Sequence, residues 1–132
     1  MNLRPPSAQQ LQAFGLDASW SKTLHVPSHD GAVHTWHYLD RPGTGSNAPV
    51  VVCLHGNPTW SFLWSRVFAE LNPAFRVIAP DHLSMGWSDN VGARRYRDRV
   101  ADVHDFLDAL DVRGPVWLVA QDWGGAIAMG VA

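Results

Sequence analysis

Val116-Trp117-Leu118-Val119-Ala120-Gln121-Asp122-Trp123-Gly124-Gly125 reads as a buried strand, a sharp turn carrying one acidic residue, and the start of a helix. This is the layout of a nucleophile elbow, G-x-S-x-G in its common form. Here Asp122 stands at the centre and Ala120 takes the place of the first glycine. The exchange changes the chemistry. A serine needs a general base to attack an acyl group. A carboxylate is already ionised near neutral pH. It can displace a leaving group at carbon, or open a strained ring, and form an ester with the substrate. A helix N-terminus would favour that anion. Gly124 and Gly125 are expected to leave room for the turn and for close helix packing. The competing use of Asp122 is a plain helix N-cap.

Outward from the elbow, strands alternate with helices. Residues 24–26 and 33–39 read as two strands joined by a turn at 28–31. Val33, Thr35, His37 and Leu39 alternate there with His34, Trp36 and Tyr38. Residues 50–54 form a continuous apolar run, as in a strand buried on both faces. The pattern predicts a helix over 60–71, a strand over 76–79, a Gly/Ser loop over 82–90 and a helix over 94–110. On the last, Val100, Val103, Leu107 and Leu110 make an apolar stripe, and Arg and Asp make a solvated face. This order predicts an α/β fold: a mostly parallel sheet with helices on both faces. Strand-to-helix loops then collect at the carboxyl edge of the sheet, where open α/β folds bind ligands. The loops at 55–58, 81–89 and 121–125 are of that type. Residues 1–21 are expected to be a leader, and 22–132 an incomplete core domain. The last residues read as a helix still in progress, as if the sequence were cut.

His55-Gly56-Asn57-Pro58 follows the buried strand, where a second oxyanion donor is expected. The main-chain N–H groups of Asn57 and Trp123 would hold a developing oxyanion. The Asn57 amide and the Trp123 indole add donors that suit a soft anion such as a leaving halide. The alternatives are a turn residue before proline for Asn57 and helix packing for Trp123. His55, Gly56 and Pro58 read as loop-structural, and so do Asp81, Gly86 and Ser88. His55 is set aside as a catalytic base, because a histidine beside glycine at a strand end is more often a structural hydrogen-bonder. Trp60, Trp64 and Trp87 are expected to serve packing.

Composition narrows the function classes. The 132 residues are 46% hydrophobic and 17% charged, as in a globular domain. Net charge is −2, which gives no reason to expect nucleic acid or an anionic membrane as partner. No segment reaches the roughly 20 apolar residues of a membrane span. The single Cys53 reads as a buried thiol and suits a reducing cytoplasm. No cofactor is expected, since no G-x-G-x-x-G and no P-loop appears. No metal is expected either, since the histidines lack ligand spacing. Oligomeric state is open.

Three stretches then carry a resemblance. They are His55-Gly56-Asn57-Pro58-Thr59-Trp60, Pro80-Asp81-His82-Leu83-Ser84-Met85-Gly86-Trp87-Ser88-Asp89 and Gln121-Asp122-Trp123-Gly124-Gly125. In order and spacing they resemble haloalkane dehalogenases of the α/β-hydrolase superfamily, over about residues 30–132. The resemblance implies Asp122 as nucleophile, Asn57 and Trp123 as leaving-group ligands, and a small apolar electrophile as substrate. Epoxide hydrolases share the Asp-Trp elbow but usually carry an aromatic residue in place of Asn57. The β-lactone decarboxylases of olefin biosynthesis are similar too. His34-Thr35-Trp36-His37-Tyr38-Leu39-Asp40, read with the loop that begins at His55, leans toward them. Dehalogenase and decarboxylase both stay open. The family's acid, catalytic histidine, cap domain and later strands would lie beyond Ala132. The 132 residues alone are therefore expected to show no turnover, whether as part of an enzyme or as an inactive fragment. The apolar far edge of the last strand invites association.

Overall fold

The computed structural model describes residues 5–132; the first four residues of the expected leader lie outside it. Five strands form one sheet: β1 (Ser21–Pro27), β2 (Val33–Arg41), β3 (Val50–Leu54), β4 (Arg76–Pro80) and β5 (Val116–Ala120). Their spatial order is β1-β2-β4-β3-β5. β2 runs antiparallel to β1 and β4, while β3 runs parallel to β4 and β5. The carboxyl ends of β3, β4 and β5 therefore share one edge, which carries all three motif loops.

Among the described residues, four α-helices accompany the sheet: α1 (Ala8–Ala13), α2 (Ser65–Glu70), α3 (Tyr96–Ala109) and α4 (Trp123–Val131). β3 sits deep in the sheet and all five of its residues are buried. Strand alternation sends its side chains two ways. Val50, Val52 and Leu54 join Trp36, Ile78, Val103, Phe106 and Ile127 on the α3/α4 side. Val51 and Cys53 join Leu11, Leu39, Phe68 and Val77 on the α1/α2 side. Burial pushes the Cys53 thiol up to about 12, as befits an unreactive core thiol.

Four local readings change. The leader contains α1, closed by a capping box in which the Ser7 side chain accepts from the Gln10 N–H and the Gln10 side chain accepts from the Ser7 N–H. Leu11 and Leu16 are buried with β3. The helix expected over 60–71 splits into a 3-10 turn, Ser61–Trp64, followed by α2. The tighter turn rotates the apolar face. Trp64 and Phe68 are buried, while Phe62 and Leu63 stay largely exposed. Phe106, absent from the expected stripe of α3, is fully buried between Trp36 and Tyr38. The opposite face of α3 is not uniformly solvated either. Asp102 is buried there, because the β1–β2 turn brings His29 against α3.

Candidate active site

The elbow forms where β5 ends. Asp122 takes φ 57° and ψ −129°, a region in which a residue with a side chain is strained by about 1–3 kcal/mol. The backbone hands over to α4 at once: Gly124 N–H donates to Gln121 O at 3.0 Å and Gly125 N–H to Asp122 O at 2.9 Å. α4 passes so close to β3 that a Cβ on Gly124 would run into the Leu54 carbonyl. Gly125 differs from expectation. A Cβ there meets nothing within 4 Å, because the position faces away from the sheet.

The Asp122 side chain is exposed and makes no capping bond to its own helix. Its Oδ2 instead accepts the Asn57 N–H at 3.2 Å. Hydrogen bonds from the Trp123 and Asn57 amides hold the carboxyl below its ordinary value, so it stays ionised. Gly56 lies directly beneath. A Cβ there would stand 2.5 Å from Asp122 Cβ. The 55–58 loop and the elbow thus approach through a glycine, and the Asn57 amide reaches the carboxylate because of it. The Asn57–Pro58 peptide is cis.

Beside this pair lies a cavity of about 240 Å³, lined by Asn57, Trp123, His82, Met85, Tyr96 and Arg99 among others. Asp122 stands at its side rather than in its wall. Trp123 is 55% exposed. Among the described residues, neither the Asn57 amide side chain nor the Trp123 indole N–H is hydrogen-bonded, which leaves both free for a ligand.

His55 is buried and committed on both ring nitrogens. Nδ1 donates to Gly56 O at 2.7 Å, and Nε2 accepts the His82 N–H at 3.0 Å. His82 Nε2 in turn donates to His55 O at 2.9 Å. These bonds fix both tautomers. Burial lowers the pKa of each ring, that of His82 to about 3. His55 therefore couples the β3 and β4 loops and has no nitrogen to spare for proton transfer.

Asp81 organises the neighbouring loop. Its Oδ1 accepts the Ser61 N–H at 2.7 Å, and its Oδ2 accepts the Trp87 N–H at 3.0 Å and His37 Nδ1–H at 2.8 Å. Burial raises its pKa, but His37 and these amides outweigh that and keep it below the ordinary carboxylate value. Gly86 has φ 53°, and a Cβ on it would strike the Asp81 carboxylate. Ser88 Oγ donates to Asp81 O at 2.7 Å and accepts the His37 N–H at 2.9 Å. His37 is the member that sequence reasoning missed. Its Nε2 bonds Ser21 Oγ at 2.8 Å. A histidine in register with Leu39 on an inward strand face was the available signal. Trp60, Phe14, Phe62 and Trp87 form a chain of aromatic contacts nearby.

Residues 49–132 match the alpha/beta hydrolase fold family. The chain belongs to that family. A haloalkane dehalogenase of Mesorhizobium japonicum is 45% identical over 116 residues, covering 87% of this chain and 35% of the relative. A cis-3-alkyl-4-alkyloxetan-2-one decarboxylase of Xanthomonas campestris is 41% identical over 104 residues, covering 72% and 34%. The chain spans about a third of the length of these α/β-hydrolase relatives. Among solved structures, a haloalkane dehalogenase of Agrobacterium tumefaciens superposes with TM-score 0.68 at 32% identity, covering 94% of this chain and 38% of that one. An epoxide hydrolase of Vigna radiata gives 0.70 at 27%, covering 84% and 33%. No helix among the described residues is long and apolar enough to cross a membrane.

Proposed function

We propose that this α/β-hydrolase chain supplies the nucleophilic half of a haloalkane dehalogenase-like site. The carrying observation is Asp122: strained, exposed, ionised and bonded to the Asn57 amide of a different loop. Oδ2 accepts the Asn57 N–H, so Oδ1 is the oxygen left to attack. It displaces halide from a saturated carbon, the C–O bond forming as the C–X bond breaks. Asn57 and the Trp123 indole take up the departing halide, and a small apolar haloalkane is the substrate. When water later attacks the ester, Oδ2 becomes the oxyanion facing the Asn57 amide, with the Trp123 amide beside the same carboxyl. That step needs a base. No histidine among the described residues hydrogen-bonds Asp122, and His55 and His82 are bonded elsewhere. The chain alone therefore forms the ester and stops. The lone buried thiol supports a cytoplasmic setting.

The 41% identity to an oxetanone decarboxylase supports a second reading, in which the substrate is a β-lactone that loses carbon dioxide. Two experiments test these readings. The 132-residue chain is incubated with a 1-iodoalkane and analysed by intact mass and peptide mapping. An added alkyl mass on Asp122 with release of one equivalent of iodide is the expected result. No adduct on the folded chain would overturn the assignment. The whole protein is then offered a haloalkane and a cis-3,4-dialkyl β-lactone. Halide release selects the first reading, and carbon dioxide with an alkene selects the second.

A further inference from the structure

Away from the elbow, the β1–β2 turn sets His29 against three aspartates of α3, seventy residues further along the chain. His29 Nδ1 stands 2.7 Å from Asp105 Oδ2 and 3.7 Å from Asp102 Oδ1, and His29 Nε2 stands 3.8 Å from Asp98 Oδ1. One ligand atom each from His29, Asp102 and Asp105 falls within 4.8 Å of the others. Ligands bound about 2.1 Å from one ion stand roughly 3–3.5 Å apart, so small side-chain shifts suffice to close the set.

Asp102 gives this cluster a direction. It is 2% exposed, yet neither of its carboxylate oxygens has a hydrogen-bond partner among the described residues. A buried carboxylate without such bonds is costly. Arg94 Nε approaches Oδ2 at 3.4 Å and leaves Oδ1 turned toward His29. The same guanidinium also serves Asp30 at 2.9 Å. Asp98, Asp102 and Asp105 thus gather around His29, with Arg94 shared between Asp102 and Asp30 and with Arg97 and Arg99 adding positive charge nearby.

We propose that His29 Nδ1, Asp102 Oδ1 and Asp105 Oδ2 bind one divalent cation of the zinc class, which clamps the β1–β2 turn to α3. One imidazole with two carboxylates suits zinc, whereas calcium and magnesium favour all-oxygen sets. The cation takes the place of the proton that His29 Nδ1 shares with Asp105. Water completes the coordination, since His29 lies on the exposed side. None of the three lines the cavity beside Asp122, so the ion's role is structural rather than catalytic.

Calorimetric titration of chelator-treated protein with zinc chloride tests this. One saturable equivalent is expected, with a rise in melting temperature. His29→Ala and Asp102→Asn should each weaken binding by more than about 100-fold, beyond what loss of a supporting contact gives. His104→Ala, on the same helix but outside the cluster, should bind as the parent does. Asp102→Asn keeps the side-chain size and relieves the buried charge, so its metal-free form should melt no lower than the parent. Cobalt should give visible absorption bands in the parent and not in His29→Ala. Absence of saturable zinc binding, or binding that survives His29→Ala, overturns the proposal.

Discussion

Asp122 pays for its position in backbone strain, and that strain sets it apart from a plain helix cap. A capping aspartate has extended backbone and bonds its own helix. This one has a positive φ and bonds a different loop. Asp122→Asn in the whole protein should lower turnover at least about 10³-fold. Its thermal melt should stay at or above that of the parent, since asparagine tolerates positive φ well. Steady-state kinetics with a melting curve check both halves; a collapsed melt would mean that the carboxylate serves the fold. Trp123→Phe keeps the ring and removes the indole donor. Turnover should fall by about 10²–10³ with little change in stability. An unchanged rate would reduce Trp123 to packing.

At the scale of elements, the site depends on loops held by buried polar groups. Asp81 joins three of them, from the β2 strand through His37, the Ser61 amide and the Trp87 amide. Asp81→Ala would orphan all three partners. A loss of about 3–5 kcal/mol is expected, readable by urea denaturation. A loss under about 1 kcal/mol would show that water replaces the carboxylate easily. β5 poses a different problem. Among the described residues it pairs only with β3, and Trp117 is 64% exposed beside the exposed Val119. Edges of this kind associate. Val119→Lys should reduce concentration-dependent light scattering of the 132-residue chain. If scattering is unchanged, association runs through another surface.

For the whole molecule, acid is the revealing perturbation. His55 and His82 have folded pKa values below their unfolded values, because both are buried neutral. The folded state therefore binds fewer protons. The pair's full contribution is present above about pH 6.5, and it erodes by up to about 1.4 kcal/mol per histidine for each pH unit below that. Asp81, also depressed, adds a further loss below the ordinary carboxylate range. His29 works the other way: Asp105 raises its pKa, so its contribution is present below about pH 6.5 and lost as pH rises. It is largely exposed and solvent screens it, so the buried pair governs. The melting temperature should fall steadily from about pH 7 to about pH 4. A flat profile over that range would contradict the neutral buried pair.

From sequence alone, the order of the elements, the buried β3, the elbow and the partnership of the 55–58 loop with it were legible. Each is written locally, in apolar runs ended by glycine-bearing turns. What the sequence could not give were contacts between residues far apart in the chain. His37 meets Asp81 across 44 positions, and His29 meets Asp102 across 73. No spacing rule spans such gaps, because the distance is set by which strands pair and which turn folds over which helix. The proposed chemistry of Asp122 thus follows from residue type and a local bend. Its setting was decided only when the sheet brought the Asn57 amide against it, since two separate loops meet at one carboxylate only after β3 and β5 pair side by side.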